Sequence, residues 1–201
     1  ARTIGKSGRS LLGLINNLLD LSRMEIGNRP QMGVFALHEL LQDIRDMLDV
    51  QARIKGIELA LQIDPHLPLH VCGSMRHFEE VLINLVGNAV KFTSQGSVRI
   101  TAQMIEQAES TMRLRVEVRD TGIGIAPEAQ ARIFESFTQA DETIIDRFGG
   151  TGLGLAIARQ LVIAHGGEIG VRPWADLGWI ERGAAPIRQV ANEQIAVGAV
   201  Q

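Results

Sequence analysis

Apolar positions along the chain recur with two periods, about 3.6 and 2 residues, and the switches between them delimit the elements. Residues 1–26 carry a seam of Ile4, Leu11, Ile15 and Leu18, widened by Leu14 and Leu21, which predicts a helix in need of a partner helix. Gly27-Asn28-Arg29-Pro30 breaks it. Leu40, Leu41, Ile44, Met47 and Leu48 predict a second helix over 37–55. Ile57, Leu59, Leu61 and Ile63 alternate, as a half-buried strand does. Pro65 and Pro68 mark a loop, and residues 75–92 again read as a helix, a unit that Gly96 ends. Val98–Ile105 and Met112–Arg119 predict a hairpin with Val116 and Val118 on one face. A short helix over 127–136 opens with Pro127, whose missing N–H costs nothing there. Residues 137–150 have no period and read as a mobile loop. Leu153–His165 reads as a helix stopped by Gly166-Gly167, and Glu168–Val171 as a strand. This mixture predicts an α+β sandwich, one sheet with helices on one face.

Composition narrows the function classes. The chain has 201 residues and 45% hydrophobic content, enough for a buried core. Its net charge of −3 gives no reason to expect nucleic acid as a partner. A single cysteine, Cys72, rules out an intramolecular disulfide framework and a cysteine-based zinc cluster, and fits a reducing compartment. No apolar run reaches the roughly 18 residues that a membrane helix needs.

Three clusters carry chemistry. Glu80, Asn84, Asn88 and Lys91 share one face of the helix over 75–92, while Val81, Leu82, Leu85, Val86 and Ala89 supply its core side. Amide oxygens suit Mg²⁺, and a lysine suits a phosphate, although such a ridge alone is equally consistent with a solvated face. Asp120-Thr121-Gly122-Ile123-Gly124 follows a strand directly. A carboxylate at a strand end can accept a hydrogen bond from an exocyclic amine such as that of adenine, worth roughly 1.5–3 kcal/mol. Gly149-Gly150-Thr151-Gly152-Leu153-Gly154-Leu155 runs into a helix, whose N-terminal amides favour phosphate, and Arg147 stands just ahead. No Gly-Lys-Ser/Thr follows, so it is not a Walker loop.

In this order the clusters resemble the ATP-binding domain of sensor histidine kinases, in the superfamily shared with gyrase, Hsp90 and MutL. Asn84-Leu85-Val86-Gly87-Asn88-Ala89-Val90-Lys91-Phe92-Thr93 resembles the N box and Asp120 to Gly124 the G1 box. Ile133-Phe134-Glu135-Ser136-Phe137-Thr138-Gln139 resembles the F box and Gly150 to Leu155 the G2 box. Residues 4–26, above all Leu18-Leu19-Asp20-Leu21-Ser22-Arg23-Met24-Glu25, are similar to the second helix of the dimerisation and phosphotransfer unit. The resemblance covers roughly 4–171, and its wording is nearest to hybrid-type kinases.

The resemblance implies a two-layer α/β sandwich of the Bergerat type preceded by a long helix. It implies a partial dimerisation helix at 1–28, a catalytic domain at 31–171 and a tail at 172–201 that does not match. Asp120 would select adenine, Asn88 would hold Mg²⁺ with Asn84 alongside, and Lys91 would lie along the phosphates or ribose. Phe92, Ile125 and Leu153 would line the nucleotide site, with Gly122 and Gly124 admitting the nucleotide. Gly150, Thr151, Gly152 and Gly154 would shape the lid hinge and the phosphate-facing helix start. Phe134 and Phe137 would anchor a lid over 137–150, and Arg147 would reach the terminal phosphate. The implied cofactors are ATP and Mg²⁺. The implied partners are the phosphoacceptor-histidine helix of the same kinase, a receiver domain and a second copy in the full-length protein, in the cytoplasm.

One position separates subclasses. ATP-hydrolysing relatives carry a glutamate four residues before the magnesium asparagine, where this chain has Asn84. An amide takes no proton at neutral pH, so the reading favours phosphoryl transfer to a protein group over an ATPase clamp. A non-catalytic nucleotide-binding or dimerisation module is the third reading. The family's acceptor element, a histidine followed by an acidic residue and Thr-Pro, is not found. His38, His66, His70, His77 and His165 all lie elsewhere, so phosphorylation in cis is not expected. After Val171 the sequence departs from the family, which predicts either a divergent last strand or an exposed sheet edge.

Overall fold

The computed structural model describes residues 31–107, 112–135, 152–173 and 189–197. The helix expected over 1–26 and the loop over 137–150 lie outside these residues.

Four helices and two sheets make up the described elements. In chain order they are β1 (Gly33–Ala36), α1 (Leu37–Lys55), β2 (Glu58–Ile63), β3 (His70–Gly73), α2 (Met75–Phe92), β4 (Ser97–Gln107) and β5 (Met112–Asp120), followed by α3 (Pro127–Gln130), α4 (Gly154–Ala164), β6 (Glu168–Pro173) and β7 (Gln189–Val197). The main sheet has the order β2-β4-β5-β7-β6. β2 and β4 are parallel, since a helix intervenes, and the other pairs are antiparallel.

Period-2 alternation sets the sheet's inner face. Val98, Ile100 and Ala102 of β4 are buried opposite Asp120, Val118 and Val116 of β5. α1 covers this face with Leu40, Leu41, Ile44 and Leu48, α2 with Val81, Leu82, Leu85 and Val86, and α4 with Ile157, Leu161 and Val162. Helices packed on one face confirm the two-layer α+β reading. Among the described residues no helix is long and apolar enough to cross a membrane.

Three features differ from the expectations, and one of the two alternatives for the tail is decided. β1 and β3 form a separate two-stranded sheet across a loop expectation, and Phe35 of β1 packs on Phe78 of α2 with ring centroids 6.1 Å apart. The helix expected over 127–136 is confined to Pro127–Gln130. Residues 131–135 continue as turns, with Arg132 N–H bonded to Ala129 O at 2.9 Å and Glu135 N–H to Arg132 O at 2.9 Å, which brings Ile133 and Phe134 inward. The last helix starts at Gly154 rather than Leu153. The strand that completes the sheet comes from residues 189–197 and inserts between β5 and β6, so β5 is not an edge.

Candidate functional site

α2 carries the N-box residues because its apolar stripe fixes which face looks outward. With Val81, Leu82, Leu85, Val86, Ala89 and Val90 buried, Asn84, Asn88 and Lys91 are left half-buried at the rim. Asn84 Nδ2 donates to Glu80 O at 2.9 Å, which orients the amide. A Cβ placed on Gly154, the first residue of α4, would lie 2.5 Å from Asn84 Oδ1. Only glycine lets the start of α4 come this near.

One turn beyond Asn88, the carbonyl of Phe92 meets the loop after β5. A Cβ on Gly122 would lie 2.6 Å from Phe92 O and 2.8 Å from Asp120 Oδ1. Gly122 N–H donates to Asp120 Oδ1 at 2.8 Å. Asp120 itself is 2% exposed, since it continues the buried alternation of β5 by one step and ends on the helix-covered face. A buried carboxylate is costly unless it has polar partners, and the Gly122 N–H is one of them.

The three clusters, separated along the chain, therefore converge on one helix. Asn88 lies a turn after Asn84, which touches Gly154, and a turn before Phe92, which touches Gly122. Lys91 projects from the same end with Nζ 4.8 Å from the Phe92 ring centroid, and partial burial holds its pKa below the usual lysine value. Thr121 Oγ1 accepts from Ser97 N–H and donates to Gln95 O, both at 3.0 Å, which ties the Asp120 loop to the start of β4. Gly124 and Gly152 both have positive φ, 72° and 69°. Ile125 O accepts from Gln130 Nε2 at 3.2 Å. Leu153 is buried and its carbonyl takes the first helical N–H of α4, from Ile157, at 2.9 Å. Phe134 is buried too, whereas Phe137, Arg147, Gly150 and Thr151 lie outside the described residues.

The histidines are engaged elsewhere. His38 Nε2 is 3.1 Å from Leu67 O, His66 Nδ1 is 2.9 Å from Asp64 Oδ1, and His77 Nδ1 is 3.0 Å from His165 Nε2. His70 lies in β3 opposite Ala36.

Comparison with known proteins gives the family. The family described as histidine kinase-, DNA gyrase B- and HSP90-like ATPase matches residues 73–186. The sensor histidine kinase AruS of Pseudomonas aeruginosa is 42% identical over 171 residues, which cover 85% of this chain and 17% of that protein. The signal transduction histidine-protein kinase BarA of Escherichia coli K12 is 39% identical over 168 residues, 83% of this chain and 18% of that protein. The chain thus spans less than a fifth of the length of these two curated relatives. Full-length ShkA, solved in complex with AMPPNP, superposes with a TM-score of 0.76 at 33% identity, covering 98% of this chain and 37% of that one.

Proposed function

The chain belongs to the histidine kinase-, DNA gyrase B- and HSP90-like ATPase family, as an ATP-binding catalytic module of the sensor histidine kinase type, and from that premise we propose that it transfers the γ-phosphoryl group of ATP to a histidine. The observation that carries this is the position of Asn88. It stands between two contacts of α2, Asn84 against Gly154 and Phe92 against Gly122, with the Asp120 carboxylate beside the second.

In this reading Asp120 accepts a hydrogen bond from the exocyclic amine of adenine, and Gly122 leaves room for the base. Asn88 and Lys91 face the phosphates, and the start of α4 presents its amides to them. The donor set fits magnesium. Asn88, half-buried on α2, would offer one amide oxygen, and nucleotide phosphate oxygens and water would supply the rest of the shell. Mg²⁺ takes such mixed shells of protein oxygen, phosphate and water, and when bound it neutralises charge on the phosphate oxygens. In the transfer, the bond from the γ-phosphorus to the β–γ bridging oxygen breaks. A bond to an imidazole nitrogen forms, and ADP leaves with that oxygen.

Asn84 favours this outcome over hydrolysis. Its Nδ2 already donates to Glu80 O, and an amide oxygen cannot take a proton from water at neutral pH. The acceptor histidine then belongs to the kinase's dimerisation and phosphotransfer unit, to which the sequence of residues 1–28 is assigned. The catalytic domain is 31–171 together with the strand at 189–197. The phosphoryl group goes on to an aspartate of a receiver domain, in a homodimeric protein with this module on the cytoplasmic side.

The test is to incubate the full-length protein with ATP labelled in the γ position. Acid-labile, alkali-stable label on the protein, lost in Asn88→Ala, is the expected result. Free phosphate released without protein label would favour the ATPase reading.

A further inference from the structure

The last carbonyls of α2 have no helical N–H to accept from, as at any helix C-terminus. Thr93 serves one of them, with both its N–H and Oγ1 bonded to Ala89 O at 3.1 and 2.8 Å. The next are served from another element. Lys55 Nζ, at the end of α1, donates to Val90 O at 2.6 Å, Lys91 O at 2.7 Å and Thr93 O at 2.8 Å. An ammonium group has three N–H donors, and here three carbonyls converge on it at one helix end, where a positive charge also complements the negative end of the helix dipole. Partial desolvation lowers the Lys55 pKa below the usual lysine value, although the residue as a whole is exposed.

Lys55 is itself fixed. Gly56 closes α1 in the left-handed conformation, φ 71°, with its N–H on Ala52 O and Arg53 O. Two residues later Glu58 N–H bonds Gly96 O at 3.1 Å, so the backbone around Lys55 is tied to the segment that leaves α2. On its other side the same helix end meets Gly122, through Phe92 O. The end of α2 therefore sits between a lysine clamp and the Asp120 loop. Asp120 has holds of its own, its place in β5 and the Gly122 N–H.

We propose that Lys55 is a positioning residue of the nucleotide site. From outside the pocket it fixes the end of α2 that carries Asn88 and Lys91, at a set distance from Asp120. The inference rests on the nucleotide reading above. Without the clamp the helix end relaxes toward water, and the phosphate-facing residues shift while the adenine-facing carboxylate stays.

Isothermal titration of the 201-residue chain with Mg·AMPPNP and, separately, with adenosine tests this, at a temperature where circular dichroism shows each variant folded. Lys55→Met is expected to weaken Mg·AMPPNP binding by about tenfold while adenosine binding changes by less than about twofold. Lys55→Gln, which keeps part of the donor set and tolerates a site where Lys55→Met does not fold, is expected to show the same split at about threefold. Unchanged Mg·AMPPNP affinity, or equal loss for both ligands, in whichever of the two variants folds would make Lys55 only a stabilising cap and overturn the proposal. Wild-type chain that binds neither ligand would overturn the nucleotide reading itself, an outcome separate from any variant's behaviour.

Discussion

Asn84 and Gly154 are 70 positions apart in sequence, yet a single methyl group at residue 154 would lie 2.5 Å from the Asn84 side-chain oxygen. The N-terminus of α4 is thus seated directly on the face of α2 that carries the amides. Gly154→Ala should destabilise the fold by about 1–3 kcal/mol through overpacking. Adding Asn84→Ala removes the obstructing oxygen, so the double variant should regain most of the lost melting temperature. Additive losses in thermal melts would mean the two residues do not press on each other.

Asp120→Ala should weaken ATP binding by about 10- to 150-fold, from the loss of one charged hydrogen bond. The carboxylate is 2% exposed and held by Gly122 N–H, so its geometry is already set before a ligand arrives. Calorimetric titration checks this, and an unchanged affinity would remove Asp120 from the site.

Asn88→Ala should weaken binding of ATP only when magnesium is present, and should leave folding without nucleotide intact. Asn88 is half-buried on the rim of α2 rather than in the core. Titrations with Mg²⁺ and with a chelator separate the two cases, and equal loss in both contradicts a metal role.

Lys91 should make the site sensitive to alkaline pH. Burial lowers its pKa, so it loses its charge at a lower pH than a free lysine. Phosphate prefers the charged form, so ATP affinity is fully present below the lowered pKa and declines as pH rises through it. Binding in alkaline buffer should therefore take up protons, seen as a heat that depends on the buffer's ionisation enthalpy. Lys91→Met should flatten the profile and abolish the uptake, and a persistent uptake would assign the effect to another group.

The parts of this fold legible in the sequence are those whose signal is local. The stripe Leu40, Leu41, Ile44 and Leu48 is visible along the chain, and α1 spans the expected 37–55. Asp120 was legible because the alternation of β5 runs straight into it. β1 and β3 were not, since four-residue strands with little alternation become a sheet only by pairing with each other across α1 and β2. A divergent last strand was one of two expectations for the tail, but its place at Gln189–Val197, between β5 and β6, comes only from pairing in three dimensions. Lys55 belongs to no motif in the sequence. Nothing in the sequence says that residue 55 meets residues 90 to 93, and that meeting comes from the packing of α1 on α2 and the pairing of β2 with β4.

A nucleotide held along α2 between Asp120 and the start of α4 would be visible in a crystal structure of this chain with Mg·AMPPNP. Adenine is expected against the Asp120 carboxylate, and phosphates beside Asn88, Lys91 and Gly152. Density for the nucleotide anywhere else on the molecule would contradict it.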